Sequence, residues 1–219
     1  MVVATRWQVS WQHGISGMLW VGACAVALYW AMSYDFTPGR LGARRTHWPT
    51  ELDSRSSTPL IRTPGTTSVL AFLHPRCVCT RATVTQLVRT LQAHPDVELI
   101  VPVFVPLGAA DRQAWEETEY VKTIRAAFPR ARIVFDAGGL HAERFGAYTS
   151  GTVLVYDAQG REIFRGGITD RRGGDGENPG RQQLVSAISK HARVIPARPA
   201  PVFGCPLVAS SGGEKGSAR

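Results

Sequence analysis

Lysine is nearly absent from this chain of 219 residues: Lys122, Lys190 and Lys215 are its only three, so a net charge of +8 is carried almost entirely by arginine. The arginines are spread along the sequence, and no dense basic run is interleaved with aromatic residues. The clustered footprint of a nucleic-acid-binding protein is therefore missing, and no nucleic-acid partner is expected. No internal repeat, phosphate-cradling glycine loop or serine nucleophile elbow is present. In the stretch GGITDRRGGDGENPG, residues 166–180, Asp170, Asp175 and Glu177 stand among glycines without the register of a calcium loop, so a flexible loop is expected there. Cysteine is scarce as well, with four residues, Cys24, Cys77, Cys79 and Cys205. Apolar residues make up 44% and charged residues 19%, a balance that excludes a chain disordered throughout.

What is present begins with a run lacking any charge. Residues 14–34, GISGMLWVGACAVALYWAMSY, are about as long as the ~20 residues a helix needs to cross a bilayer. Trp7, Trp11, Trp20, Tyr29, Trp30 and Tyr34 fall towards its ends, as interfacial belts do. No small-residue cleavage site follows the run, which reads as an uncleaved anchor after an N-terminal segment at 1–13. Arg6 precedes it and Arg40, Arg44 and Arg45 follow, a count that on its own favours a cytoplasmic C-terminal domain. Cys24, inside the run, reads as a small packing residue.

Residues 35–66 hold Pro38, Pro49, Pro59 and Pro64 with little periodicity and read as a linker. Residues 193–219 are rich in proline, glycine and serine and read as a tail, with VFGCPL around Cys205 as an apolar island inside it. Between them, residues 67–192 are regular. SVLAFL (68–73) suits a buried strand, and Val84, Leu87, Val88 and Leu91 recur at helical spacing, so Cys77 to Ala93 is expected as a helix whose first turn holds both cysteines. VELIVPVFV (97–105) is a β-branched strand. A helix opens at Asp111 with Val121, Ile124 and Phe128 on one face. RIVFD (132–136) and TVLVYD (152–157) are strands, and the turn residues DAQG lead into REIFRGG as a hairpin partner. Asn178 can cap a last helix, with Pro179 at its first position, running to about Ala192. The order β-α-β-α-β-β-β-α predicts an α/β fold, a mixed sheet with helices on both faces.

In FLHPRCVCTRA, residues 72–82, two cysteines stand one residue apart at a strand-to-helix junction. A redox pair, a metal site and a chance placement of small apolar residues all compete for this pattern. A thiolate at a helix N-terminus is stabilised by unpaired N–H groups and the helix dipole, with Arg76 and Arg81 adding positive potential, so Cys77 is expected as the more acidic and nucleophilic thiol. Cys79 is its resolving partner in that reading. Residues i and i+2 of a helix point to nearly opposite sides, so a bond between them requires the backbone to leave helical geometry. Such strain favours an oxidant or isomerase poise. His74, Cys77 and Cys79, with Cys205 as a fourth ligand, would instead suit Cu(I) or Zn(II), whose preferred donors are thiolate and imidazole. His47, His94, His141 and His191 lack metal-spaced partners and are expected on the surface or in loops.

The segment SVLAFLHPRCVCTRATVTQL resembles the active-site region of thioredoxin-like proteins, and the match in element order covers roughly 65–192. The anchor, the Cys-x-Cys pair, FGAYTSGTVLVYDAQG and the terminal FGCPL further resemble the membrane-anchored thioredoxin-like proteins often labelled RedB. That resemblance implies a thioredoxin-like domain, no bound cofactor, thiol–disulfide exchange with a protein partner, and an inner-membrane anchor with the domain facing the periplasm or exterior, against the arginine count. It also implies a site lined by His74, Pro75, Arg76, Ser150, Gly151 and Thr152. Thioredoxins carry one more residue between their cysteines, and a cis-proline where this chain reads Thr149-Ser150-Gly151-Thr152; the missing proline puts their usual substrate docking in doubt. Copper-delivery proteins of the same superfamily keep the metal alternative open. An apolar island gains nothing from solvent, so VFGCPL is expected either to dock at the active-site rim, making Cys205 a third thiol, or to stay with the rest of a mobile tail.

Overall fold

The computed structural model describes residues 4–49, 59–189 and 198–208, with the side chains of 4–10 and 12 left aside. The chain divides after Thr37 into two units. The first is one helix, α1 (Ala4–Phe36), whose stretch His13–Phe36 is long and apolar enough to cross a membrane by length and composition and has none of its apolar window buried. That stretch is a candidate membrane span.

The second unit is built on five strands: β1 (Ser68–Phe72), β2 (Glu98–Val105), β3 (Arg132–Ala137), β4 (Thr152–Tyr156) and β5 (Glu162–Gly166). They lie in the order β3-β2-β1-β4-β5, with β1, β2 and β3 mutually parallel, β4 antiparallel to β1, and β5 antiparallel to β4. Strand β1 sits at the centre and is buried along its whole length. Its side chains alternate between two cores, Val69 and Ala71 to one and Leu70 and Phe72 to the other, which is why it reads as a continuous apolar run. The first core is closed by α2 (Val78–Leu91), α4 (Glu119–Ala127) and α6 (Pro179–Ile188), through Leu87, Ile124 and Leu184 among others.

Several elements depart from the pattern read in sequence. The helix expected from Asp111 is two helices, α3 (Gln113–Glu116) and α4, broken where Thr118 adopts extended backbone at the N-cap of α4. A short helix, α5 (Leu140–Phe145), was not expected at all. The Asp136 carboxylate creates it by accepting the N–H groups of His141 (2.8 Å) and Ala142 (2.9 Å), two donors a first turn leaves without partners. His141 is thereby buried on a helix, not placed in a surface loop. Helix α6 starts as expected, with the Asn178 side chain accepting from Arg181 N–H at 2.8 Å and Pro179 following, but it ends at Ile188. Ala192 and His191 fall outside the described residues. Helix α2 likewise stops at Leu91, short of Ala93.

The second core explains why two stretches of loop-like composition are not loose. Among the described residues α5 is the only helix that contributes to it, and further cover comes from Trp48, Leu60, Leu207 and Val208. Trp48 meets Phe145 and Tyr156 edge-on, with ring centroids 5.1 and 5.0 Å away. Gly42 N–H donates to Gly146 C=O at 2.8 Å and Trp48 N–H to Gly160 C=O at 2.8 Å. Segments 38–49 and 59–66, read as linker from their prolines, thus belong to the second unit. So do residues 198–208: Ala200 bridges Gly166, Pro206 bridges Thr149, and Val202, Phe203 and Leu207 are buried.

Candidate functional site

The site forms where β1 ends and α2 begins. Cys77 is the N-cap residue of α2, with extended backbone (φ −95°, ψ 122°), and Cys79 lies inside the helix. Both cysteines were expected in the first turn; only Cys79 is there. The cap geometry is fixed from below. His74 N–H donates to Ser150 Oγ at 2.8 Å, Thr80 Oγ1 donates to the His74 carbonyl at 2.8 Å, and the two hydroxyl oxygens lie 3.0 Å apart. Cys77 N–H closes the turn onto the His74 carbonyl at 3.1 Å. Pro75 is buried beside it.

Opposite the cysteines lies the loop before β4. Gly151 takes positive φ (+89°), and its N–H donates to the Phe72 carbonyl at 2.8 Å; a Cβ there would meet the Thr83 hydroxyl at 2.9 Å. Thr152 is fully buried and donates its hydroxyl to the Thr149 carbonyl at 2.6 Å. The free edge of this loop is taken by the chain's own C-terminal segment. Ser150 N–H donates to the Cys205 carbonyl at 2.8 Å, and Leu207 N–H donates to the Tyr148 carbonyl at 2.9 Å. Residues 203–207 thus run antiparallel along 148–150 as a strap. Gly204 allows the approach, since a Cβ on it would lie 2.0 Å from the Ser150 carbonyl oxygen.

This pairing sets Cys205 Sγ 2.7 Å from Cys77 Sγ, with both cysteines as free thiols. Cys77 is 2% exposed, so the strap also covers it. The Cys77 thiol is lowered to about 5, first by the hydrogen bond from the Cys205 S–H, against burial, and then by the backbone N–H groups of Cys79 and Cys205. The direction is the one expected from the sequence, but Arg76 is not among these causes: its guanidinium stacks 3.9 Å from the Trp115 ring centroid. Cys205 is pushed up as the donor in that bond and by burial. Cys79 is pushed up by burial and by the negative charge on Cys77.

His74 stacks on Phe104 (5.2 Å, 17°) and meets Trp115 edge-on at 5.7 Å, while its Nδ1 accepts Arg76 N–H at 3.3 Å. Burial pushes its pKa down, against the pull of Cys77. Among the described residues no group of three or more His, Cys, Asp or Glu side chains is arranged to hold a metal ion. Trp115 and Arg172 are site residues that the sequence reading missed. Arg172 reaches from the 166–180 loop to donate to the Gly204 carbonyl at 2.7 Å. That loop, expected as flexible, is tied to α2 by Gln86, whose amide donates to the Gly176 carbonyl at 2.9 Å. A paired arginine in a glycine-rich loop was the only signal available.

No protein-family model matches the chain, and no curated protein matches it in sequence. Solved structures do. A hypothetical protein of Sinorhizobium meliloti is similar over 80% of this chain and 96% of its own, at 17% identity and a TM-score of 0.50. An uncharacterized conserved protein from Geobacillus kaustophilus is similar over 81% of this chain and 95% of its own, at 15% identity and a TM-score of 0.54. The fold is thioredoxin-like. A secreted disulfide oxidoreductase of Mycobacterium tuberculosis superposes on 57% of this chain and 81% of its own, at 18% identity and a TM-score of 0.40, too weak a likeness to add to the fold. Within the thioredoxin-like domain, three features already described stand out: one residue between Cys77 and Cys79, Gly151 at positive φ in the loop before β4, and a strap that brings in a third thiol.

Proposed function

We propose that this chain is a membrane-anchored thiol–disulfide oxidoreductase in which Cys77 attacks and Cys205 resolves. The observation that carries the reading is the 2.7 Å approach of the Cys205 sulfur to Cys77 at a helix N-cap. A buried structural cysteine has no need of a lowered pKa, whereas an exchanging one does. In the oxidising direction for the protein, the strap lifts to uncover Cys77 and the Cys77 thiolate attacks one sulfur of a partner disulfide. The other partner sulfur leaves as thiolate and takes a proton. Cys205 then loses its proton and attacks the Cys77 sulfur of the mixed disulfide, releasing the second partner thiol. The partner disulfide is reduced to two thiols, and Cys77 and Cys205 are joined; the reverse sequence oxidises a partner dithiol.

The Cys77–Cys79 pair, favoured by sequence proximity, supplies the second exchange route. In this reading the candidate span His13–Phe36 is the anchor, and disulfide chemistry favours the oxidising side of the membrane for the domain. The narrower likeness to the RedB-type anchored proteins belongs to the same reading.

The test equilibrates the full chain in detergent with buffers of graded reduced-to-oxidised glutathione ratio, followed by acid quench, alkylation and peptide mapping. A reversible Cys77–Cys205 disulfide is expected. Absence of any reversible disulfide at Cys77 across the range overturns the reading.

A further inference from the structure

Two thiols compete for Cys77, and one side chain touches the competition from outside. Cys79 shares its helix end, and Cys205 sits on the strap. Arg172, from the 166–180 loop, bonds the strap at the Gly204 carbonyl, the residue next to Cys205 (2.7 Å). Among the described residues, the strap is also held by backbone pairings along 148–150 and by apolar burial of Phe203 and Leu207. Those fix the line of the strap. The guanidinium holds its middle, where the sulfur must stay over Cys77. A charge-assisted bond of this kind is stronger than a neutral one. The same guanidinium lies close enough to Cys79 to favour its thiolate against burial, so it faces both candidates at once.

We infer that Arg172 is the positioning residue that assigns Cys77 its partner, holding strand 203–207 so that Cys205 is joined in preference to Cys79. The inference rests on the thiol–disulfide reading above. The exchange it governs needs no outside oxidant. The Cys79 thiolate attacks the Cys77 sulfur of a Cys77–Cys205 disulfide, the bond to Cys205 breaks, and Cys205 leaves as thiolate and takes a proton. One disulfide is replaced by another with no net oxidation. Each state holds one disulfide and one spare thiol, so the two differ only in which thiol is joined to Cys77. The ratio of the two disulfides is therefore independent of the potential of the buffer and reads which thiol the fold sets against Cys77.

The experiment oxidises the full chain in detergent in one glutathione buffer, quenches it in acid, and counts Cys77–Cys205 against Cys77–Cys79 linkages by mass spectrometry. In the unaltered chain Cys77–Cys205 dominates. In Arg172→Ala the ratio falls about tenfold, the size of effect expected for one charge-assisted hydrogen bond. Arg172→Lys keeps the charge and a donor, recovers part of the ratio, and carries the test if the alanine variant fails to fold. Arg171→Ala removes the neighbouring arginine, which pairs with Asp170, and leaves the ratio unchanged. A ratio unmoved in both Arg172→Ala and Arg172→Lys overturns the inference while leaving the exchange reading intact. An equal fall in Arg171→Ala also overturns it, since the loop as a whole would then be responsible. If no variant, nor the unaltered chain, forms a disulfide at Cys77, the exchange reading itself fails.

Discussion

The start of α2 and the strap at 203–207 each bring a thiol to Cys77, and they do it by opposite means. Cys79 is two residues away on a helix, where successive side chains turn by about 100°, so its direct route to Cys77 is poor. Cys205 is 128 residues away, yet an antiparallel pairing sets its sulfur at 2.7 Å. Their contributions to the acidity of Cys77 differ in kind. Cys205 gives its S–H, the largest cause of the lowered pKa, whereas Cys79 gives mainly its backbone N–H. The helix end supplies the general setting for a thiolate, and the strap supplies the specific partner.

The sharpest way to break this comparison is to remove the two thiols in turn. Cys205→Ala should move the titration midpoint of Cys77 from about 5 towards the ~8.5 of an ordinary thiol, followed by thiolate absorbance against pH. Cys79→Ala should move it far less, because alanine keeps the backbone N–H through which Cys79 mainly acts. A larger movement in Cys79→Ala would reverse the roles assigned to the two regions.

Backbone approach gives a second contrast. Gly204→Ala places a methyl 2.0 Å from the Ser150 carbonyl oxygen, so the strap must shift or unseat. A loss of about 2 kcal/mol in denaturant unfolding is expected, with faster alkylation of Cys77. Val78→Ala, at the helix start, changes a side chain that is 78% exposed and should stay within about 0.5 kcal/mol. Equal effects would show that the strap is no more constrained than the helix end.

The same contrast explains what could be read in the sequence. Strands β1, β2 and β4 are short apolar or β-branched runs and helix α2 carries a helical spacing, so their order and the thioredoxin-like arrangement were legible. Helix α5 was not, because its stability comes from the Asp136 carboxylate folding back on its first turn, a bond with no periodic trace. Segments 38–49 and 198–208 read as linker and tail because prolines and glycines interrupt them, yet Trp48, Phe203 and Leu207 each fill part of a core whose other half lies far away in sequence. Cys77 and His74 could be named from their spacing. Arg172 could not, since its role depends on where the strap lies.

The pH dependence of stability tests the contrast more finely. In the reduced protein Cys77 has a lower pKa folded, about 5, than the ~8.5 it has unfolded. A depressed acid contributes its full stabilisation above the unfolded pKa and loses it as pH falls to the folded one. The urea midpoint of the reduced chain should therefore rise from pH 5 to about 8.5. Above that, Cys79 and Cys205, both raised, oppose any further gain. His74, lowered mainly by burial, adds a rise of the same sign near and below its ordinary pKa, so the Cys77 part is read as the difference from Cys77→Ala. A Cys77→Ala curve as steep as the parent's would remove Cys77 from the account.

The smallest expected effect is the one that simple proximity would rank among the largest. Arg76 precedes Cys77 directly, and a neighbouring positive charge is the usual explanation for an acidic cysteine. Here the side chain turns away, with its guanidinium 3.9 Å from the centre of the Trp115 ring, and the residue is exposed, so water screens whatever field reaches the sulfur. Arg76→Gln should shift the Cys77 midpoint by less than about 0.5 pH, in line with the small energies of exposed charge pairs. Trp115→Ala supplies the stricter form of the test. It frees the Arg76 guanidinium from its stacking partner, and a fall in the Cys77 midpoint in that variant, absent when Arg76→Gln is added, would show that the ring holds the charge off the thiol. A shift in Arg76→Gln alone as large as that in Cys205→Ala would instead mean that the helix end, and not the strap, sets the acidity of Cys77.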